Sequence, residues 1–343
     1  PVRSYLFLGN KKCRIYAACS VSQTPKSSYI IRGGDAMELV LLATASDIDN
    51  CLKNIQYYNK FIDYDVIKII TSLKNKKKLE KYPEIELVDE NSLMPDLTLK
   101  SVQTEFSQMG LDGKRSGWYF QQFLKLAYSR ISKYPYYLIW DADTIPVRNI
   151  TLFSEQGKPI FGMKEEYHKE YFTTIESLFG FSKCSEGSFI SEHMIFKCEF
   201  VQEIIDEIEK MQNIQGKYFW QKILHAVDGQ LLMHGAFSEY ETYGTWVTMK
   251  YPEEYTECRF ISNRYGKSIM GYPPDIKDLN RASKYYDAIS FETWDTGIKI
   301  LDFIRKLDMF HIVPIILYQK VSNRYWDRHF KKCKSMQKNI NET

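Results

Sequence analysis

Tyr136-Tyr137-Leu138-Ile139-Trp140 sets five apolar residues in a row with no polar alternation. A strand with one wet face alternates polar and apolar residues, so this run predicts a strand covered on both faces, the habit of parallel sheets sandwiched between helices. Earlier segments repeat the theme. Leu39-Val40-Leu41-Leu42-Ala43-Thr44 reads as a buried strand, Val66-Ile67-Lys68-Ile69-Ile70 as another with β-branched character, and Ile85-Glu86-Leu87-Val88 as a third. Between the first two, Ser46-Asp47-Ile48-Asp49 is a variant of the capping box, and Ile48, Leu52 and Ile55 follow at helical spacing. Strand, helix, strand and strand predict the α/β class, a three-layer α/β/α sandwich around a mostly parallel central sheet.

The remaining segments are less uniform. Residues 90–115 are polar and punctuated by Gly, which reads as a mobile loop and a candidate lid. A helix from Trp118 carries Phe120, Phe123, Leu124, Ala127 and Ile131 on one stripe and leaves Gln121, Gln122 and Lys125 on the other side. Strands are expected at Pro159–Met163 and Ser188–Phe196, and a helix from Phe200 along Val201, Ile204, Ile205, Ile208 and Met211. Residues 1–36 precede the first Met and read either as a leader or as an extra piece of sheet. Residues 37–300 read as the catalytic domain, and 301–343 as a helical appendage ending in Arg328, Lys331, Lys332 and Lys334.

Bulk properties narrow the function little. A formal charge of +3 is too small to imply a nucleic-acid partner, and it leaves anionic small molecules open. Seven Cys without a C-x-x-C pair give neither a zinc pattern nor a disulfide framework, so a reducing cytoplasm is the expected setting. The late apolar run Ile312 to Leu317 is too short to span a bilayer. The basic tail reads either as a solvated helix or as a peripheral contact with the inner face of an anionic membrane.

The chemistry concentrates where the run from Tyr136 ends, at Asp141-Ala142-Asp143. Carboxylates at i and i+2 on extended backbone lie on one side, so both can approach one hard cation, Mg2+ or Mn2+. Such an ion keeps positions open for a diphosphate and neutralises charge on a leaving group. The plainer reading is a capped turn ahead of Pro146, but ligand sites of α/β sheets collect at such strand ends. Lys125 offers a point charge to phosphate, and Gln121 or Gln122 hydrogen bonds to sugar or ribose hydroxyls; a solvated helix face is the alternative. Glu239 and Glu241 sit among aromatics, where partial burial raises a carboxylate toward the range of a working base. His193 and His168 are further candidates for acceptor contact or a third metal ligand, and His311 for a late one, each set against an ordinary structural histidine. Trp118, Trp246 and Trp294 are candidates for stacking on a sugar ring, against core packing.

Three ordered blocks, Gly117 to Leu126, Tyr137 to Thr144 and Phe237 to Gly244, resemble a family of microbial glycosyltransferase-like proteins known as DUF6492. The resemblance covers about residues 37–250. It implies a GT-A fold, a nucleotide-sugar across the first strands, a metal on Asp141 and Asp143, and active-site walls from the first and third blocks. By the same analogy Ser46 and Asp47 meet the base and ribose, although capping is the other task for Ser46. The function expected is metal-dependent transfer of a hexose from a nucleoside-diphosphate sugar, a UDP-sugar foremost, to a hydroxyl of a glycan or glycolipid. Two other classes stand beside it: a metal-dependent phosphohydrolase or nucleotidyltransferase, and a non-catalytic glycan-binding module.

Overall fold

The apolar runs form the strands expected of them. A computed structural model describes residues 36–299, 301, 303 and 315–325 of the chain. The expectations for residues 1–35, His311, Arg328, Lys331, Lys332 and Lys334 lie outside the described residues. The first half runs β1 (Met37–Leu42), α1 (Ile48–Phe61), β2 (Val66–Thr71), α2 (Lys76–Leu79), β3 (Ile85–Asp89), α3 (Leu99–Gln108), α4 (Ser116–Ala127) and β4 (Tyr136–Asp141). It continues with β5 (Thr144–Pro146), β6 (Ile160–Met163), α5 (Lys169–Phe179), β7 (His193–Lys197), α6 (Cys198–Lys210), α7 (Phe219–Ala226), α8 (Gly229–Leu232) and α9 (Glu239–Lys250). The last elements are β8 (Thr256–Arg259), β9 (Ser262–Asn263), α10 (Gly266–Met270), α11 (Ile276–Ala282) and β10 (Ala288–Ser290).

The central sheet has the order β3-β2-β1-β4-β7, with β1 to β4 parallel and β7 antiparallel to β4. The chain steps outward from β1 to β3 and then returns to lay β4 on the other side of β1. That reversal makes a topological switch point between β1 and β4, where open α/β sheets bind ligands beyond the strand ends. The register pairs Leu42 with Asp141, so both strands end together at this point.

Alternation along the strands divides the core into two layers. Leu39, Leu41, Leu138 and Trp140 pack with Ile48, Cys51, Leu52, Ile55 and Tyr58 of α1. Val40, Tyr137 and Ile139 face the opposite way, into a larger layer drawn from α3, α4, α6, α7 and α9. The sandwich is therefore the three-layer α/β/α arrangement the sequence predicts. Two small sheets, β5-β10-β9 and β6-β8, stand beside the central one after the Asp141–Asp143 turn.

Several expectations are corrected. Segment 90–115 is not a loose lid: it contains α3, opened by the Thr98 hydroxyl accepting from Ser101 N at 3.1 Å, and Leu93, Met94, Leu97, Val102 and Phe106 are core residues. The alternative of a solvated face on α4 does not hold for Gln122 and Lys125, which are buried along with its apolar stripe. Ile131 lies beyond that helix and is exposed. The strand expected from Ser188 starts only at His193, because Glu192 takes a left-handed φ of +61° and breaks the extended path. Ser46 does not cap α1, whose N-cap is Asp47 without a side-chain bond to the helix. Leu301, Ile315 and Tyr318 share a third cluster with Ile145, Val147, Leu279 and Ile289. Among the described residues no helix is long and apolar enough to cross a membrane.

Candidate active site

The Asp141–Asp143 turn is fixed from several directions. Asn54 Nδ2 and Tyr58 Oη of α1 donate to the Ala142 carbonyl at 3.2 and 3.0 Å. Asp141 N donates to the Glu192 carbonyl at 2.9 Å, and Phe291 N to the Asp143 carbonyl at 2.8 Å. Trp140 Nε1 donates to the Thr144 carbonyl at 2.7 Å, and the Thr144 and Ser290 hydroxyls meet at 2.7 Å. Helix α1, the residue before β7 and the residue after β10 thus converge on three residues. A chance turn ahead of a proline has no need of such anchoring.

On the α4 side Asp141 joins the buried Lys125, Glu239 and Tyr240 in a quartet. Lys125 Nζ lies 2.6 Å from Glu239 Oε1, 3.1 Å from Asp141 Oδ1 and 3.1 Å from Tyr240 Oη, and Tyr240 Oη donates to the same Asp141 oxygen at 3.0 Å. Burial opposes the Lys125 charge, but Asp141 and Glu239 outweigh it and hold the ammonium above its ordinary range. Burial likewise raises the Glu239 carboxyl against the pull of Lys125. Lys125 is therefore spoken for by protein carboxylates and is not the free phosphate contact the sequence suggests. Glu239 lies out of solvent with Oε1 on Lys125, an arrangement that orients the ammonium.

On the other side lies a second group of charges from the small sheets. Lys164 Nζ binds Glu192 Oε1 at 2.6 Å, Ser262 Oγ at 3.0 Å and Glu166 Oε1 at 3.2 Å, and Ser262 Oγ donates to Glu192 Oε2 at 2.7 Å. Arg264 grips Glu292 Oε1 through Nη2 at 2.6 Å and Nε at 2.7 Å, while its Nη1 stands 4.0 Å from Glu166. Burial alone would raise Glu166, but His168, Lys164 and Arg264 hold it down at about 2. His168 is raised by its bond to Glu166.

Asp143 stands between the groups. Burial, Glu292 and Asp141 push its carboxyl up to about 8 against Arg264 and Thr144. Two carboxylates that repel one another at a strand end suit a divalent cation. Among the described residues no set of three or more His, Cys, Asp or Glu is arranged to hold a metal by itself. Mg2+ commonly takes only one or two carboxylates and completes its shell with phosphate oxygens and water, so the pair fits an ion delivered with a diphosphate.

Other expected residues lie elsewhere. His193 pairs across the sheet with Trp140 and so faces the α1 side, away from Asp141. Its ring packs on Trp140 and Phe260, Nδ1 meets the Ser191 carbonyl at 2.9 Å, and burial lowers its pKa to about 4. It is a structural histidine. Glu241 accepts from Ser188 Oγ at 2.6 Å and Phe189 N at 3.2 Å, anchoring that loop. Gln122 donates to the Trp118 carbonyl at 3.2 Å, and Gln121 is half-buried one position earlier. Ser46 and Asp47 form a small hydroxyl and carboxylate cluster with Thr44 at the exit of β1, beside the switch point. Trp246 is buried with Nε1 on Glu207 at 3.0 Å, whereas Trp118 and Trp294 are only partly covered. Sequence reasoning passed over Tyr240, Lys164, Glu192, Arg264 and Glu292. Tyr240 stood inside a quoted block and Glu192 beside His193, but Arg264 and Glu292 carry no local signal.

The family comparison matches residues 58–322 to "Family of unknown function (DUF6492)". The chain belongs to DUF6492. The match holds the whole quartet and also Glu192, Arg264 and Glu292, so it reaches well past residue 250, while Ser46 and Asp47 lie before it. No functionally curated protein matches. Among solved structures, mouse xyloside xylosyltransferase 1 is similar at TM-score 0.38 and 11% identity, over 76% of this DUF6492 chain and 99% of that chain. The glycosyltransferase GlyE of Streptococcus pneumoniae gives TM-score 0.36 and 10% identity over 86% and 64%. The mannosyltransferase Ktr4p of S. cerevisiae gives 0.37 and 13% over 66% and 70%. Likeness at this level fixes neither substrate nor chemistry.

Proposed function

We propose that this DUF6492 protein is a glycosyltransferase of the GT-A type that moves a hexose from a nucleoside-diphosphate sugar, a UDP-sugar foremost, to a hydroxyl of a glycan or glycolipid. The observation that carries the reading is the anchored Asp141-Ala142-Asp143 turn at the switch point between β1 and β4, with two carboxylates at the place where the sheet opens to a ligand. Asp141 and Asp143 would hold Mg2+ or Mn2+ together with the donor diphosphate. Bound there, the ion supplies neutralisation of the charge that the diphosphate gains as it departs.

The chain's own residues do the positioning. Lys125 and Tyr240 both bond Asp141 Oδ1, which holds that carboxylate in one orientation, and Glu239 holds Lys125. Ser46 and Asp47 border the same strand end and are proposed to meet the base or ribose. Gln121 and the partly covered Trp118, on the α4 face that carries Lys125, are proposed to border the sugar.

Product analysis tests the reading. The protein is incubated with Mn2+, UDP-glucose, UDP-galactose, UDP-N-acetylglucosamine or GDP-mannose, and an oligosaccharide panel. Nucleoside diphosphate and an elongated glycan are the expected products. Inorganic phosphate without transfer would instead mark a phosphohydrolase, and binding that survives Asp141→Ala and Asp143→Ala together would mark a glycan-binding module.

A further inference from the structure

Glu192 is held in a conformation its side chain does not favour. Its φ of +61° lies in the left-handed region, where Gly, Asn and Asp are at home and other residues carry strain. Among the described residues the other non-glycine case is Asp96, a type that tolerates the region. A buried glutamate kept there in place of glycine points to a task for its carboxylate, since strain of this kind collects at working sites.

The surroundings narrow that task. The turned backbone carries the Asp141 N–H at 2.9 Å, which ties the residue to the strand end where a diphosphate would lie. Its two oxygens are each occupied, Oε1 by Lys164 Nζ at 2.6 Å and Oε2 by Ser262 Oγ at 2.7 Å. Burial raises the Glu192 carboxyl, and the donor on each oxygen, Lys164 and Ser262, opposes that shift and favours the charged form. Glycosyl transfer passes through a centre with oxocarbenium character, and C1 of the sugar is bonded directly to the diphosphate.

We propose that the Glu192 carboxylate is the anion against which positive charge develops on the transferred sugar, a further catalytic residue of the reaction proposed above and resting on that reading. The C1–O bond to the diphosphate breaks with its electron pair leaving on the diphosphate oxygen. The acceptor oxygen bonds to C1, and its proton passes to the departing diphosphate. Glu192 neither gains nor loses a proton.

Two variants separate this role from a structural one. Glu192→Gly adopts the backbone conformation freely and removes the carboxylate, while Glu192→Gln keeps the size and removes the charge. Each is compared with wild type for calorimetric donor affinity with Mn2+, for release of nucleoside diphosphate from UDP-glucose, UDP-galactose, UDP-N-acetylglucosamine and GDP-mannose with water as acceptor, and for Tm. The expected result for both variants is donor affinity within about threefold of wild type and turnover down by about 100-fold, with the Tm of Glu192→Gly lowered because Lys164 loses its partner. Added formate should restore part of the Glu192→Gly turnover. Turnover of Glu192→Gln within about threefold of wild type would make the residue a structural latch and overturn the proposal. An acid limb of the wild-type pH profile that vanishes in Glu192→Gln would make it a base and overturn it equally. A wild type that binds and turns over no nucleotide-sugar defeats the glycosyl-transfer reading itself, and this inference with it.

Discussion

Lys125, itself buried, joins the buried Glu239, the part-exposed Asp141 and the Tyr240 phenol, which makes it the most consequential single cation of the site. Removing one partner of a buried pair leaves the other charged and uncompensated. Lys125→Met is therefore expected to destabilise the protein by about 3–5 kcal/mol, with Glu239→Gln in the same background recovering part of the loss. Urea unfolding of the two single variants and the double variant checks this, and simple additivity would contradict it. His193 supplies a pH prediction outside the site. Its folded-state pKa is depressed from 6.5 to about 4 by burial, so the unfolded chain takes up the proton first. Its contribution to stability is fully present above pH 6.5 and is lost as pH falls through 4, a change His193→Gln should flatten. Equal pH slopes for wild type and variant over that range would refute the assignment. At this scale the two aspartates were legible because they end an unbroken apolar run. The partner of Lys125 was not, since Glu239 lies 114 positions away and nothing local announces the pairing.

Among the elements, α9 shows how tightly the larger layer is closed. A Cβ placed on Gly244 would stand 2.3 Å from Phe189 Cγ, far inside contact distance, so the helix reaches its position only because that residue lacks a side chain. Gly244→Ala is expected to destabilise by about 2 kcal/mol or more despite the better helix propensity of Ala, measured as a lowered urea midpoint with an unchanged slope. A midpoint at or above that of wild type would mean Phe189 moves aside freely. The Phe189 loop is the one Glu241 anchors through Oε2. The central strands β1 to β4 were legible because continuous apolar runs have few other uses. Helix α3 was not: Val102 and Phe106 make a short stripe diluted by Lys100, Gln103, Thr104 and Ser107, and polarity over a window hides two well-placed residues.

Across the whole molecule, one end of the central sheet gathers charge from both halves of the chain. Asp141, Asp143, Glu239 and Lys125 come from the first three-quarters, and Arg264 and Glu292 arrive with the small sheets that pack beside β4. The α/β class and the strand-end location of the site follow from periodicity and switch-point topology. The second set of charges depends on tertiary packing of short strands whose sequence pattern is weak, and so only the folded chain reveals it. Burial, Glu292 and Asp141 push the Asp143 carboxyl upward, and a divalent ion held there as proposed would oppose that push. Calorimetric titration with UDP, UDP-sugars and GDP-mannose, with Mn2+ and after its removal by EDTA, on wild type and Asp143→Ala, tests this most directly. Binding of one nucleotide that requires Mn2+ and disappears in Asp143→Ala is the predicted result; no binding to any of them by folded protein, or equal binding without metal and in the variant, would contradict it.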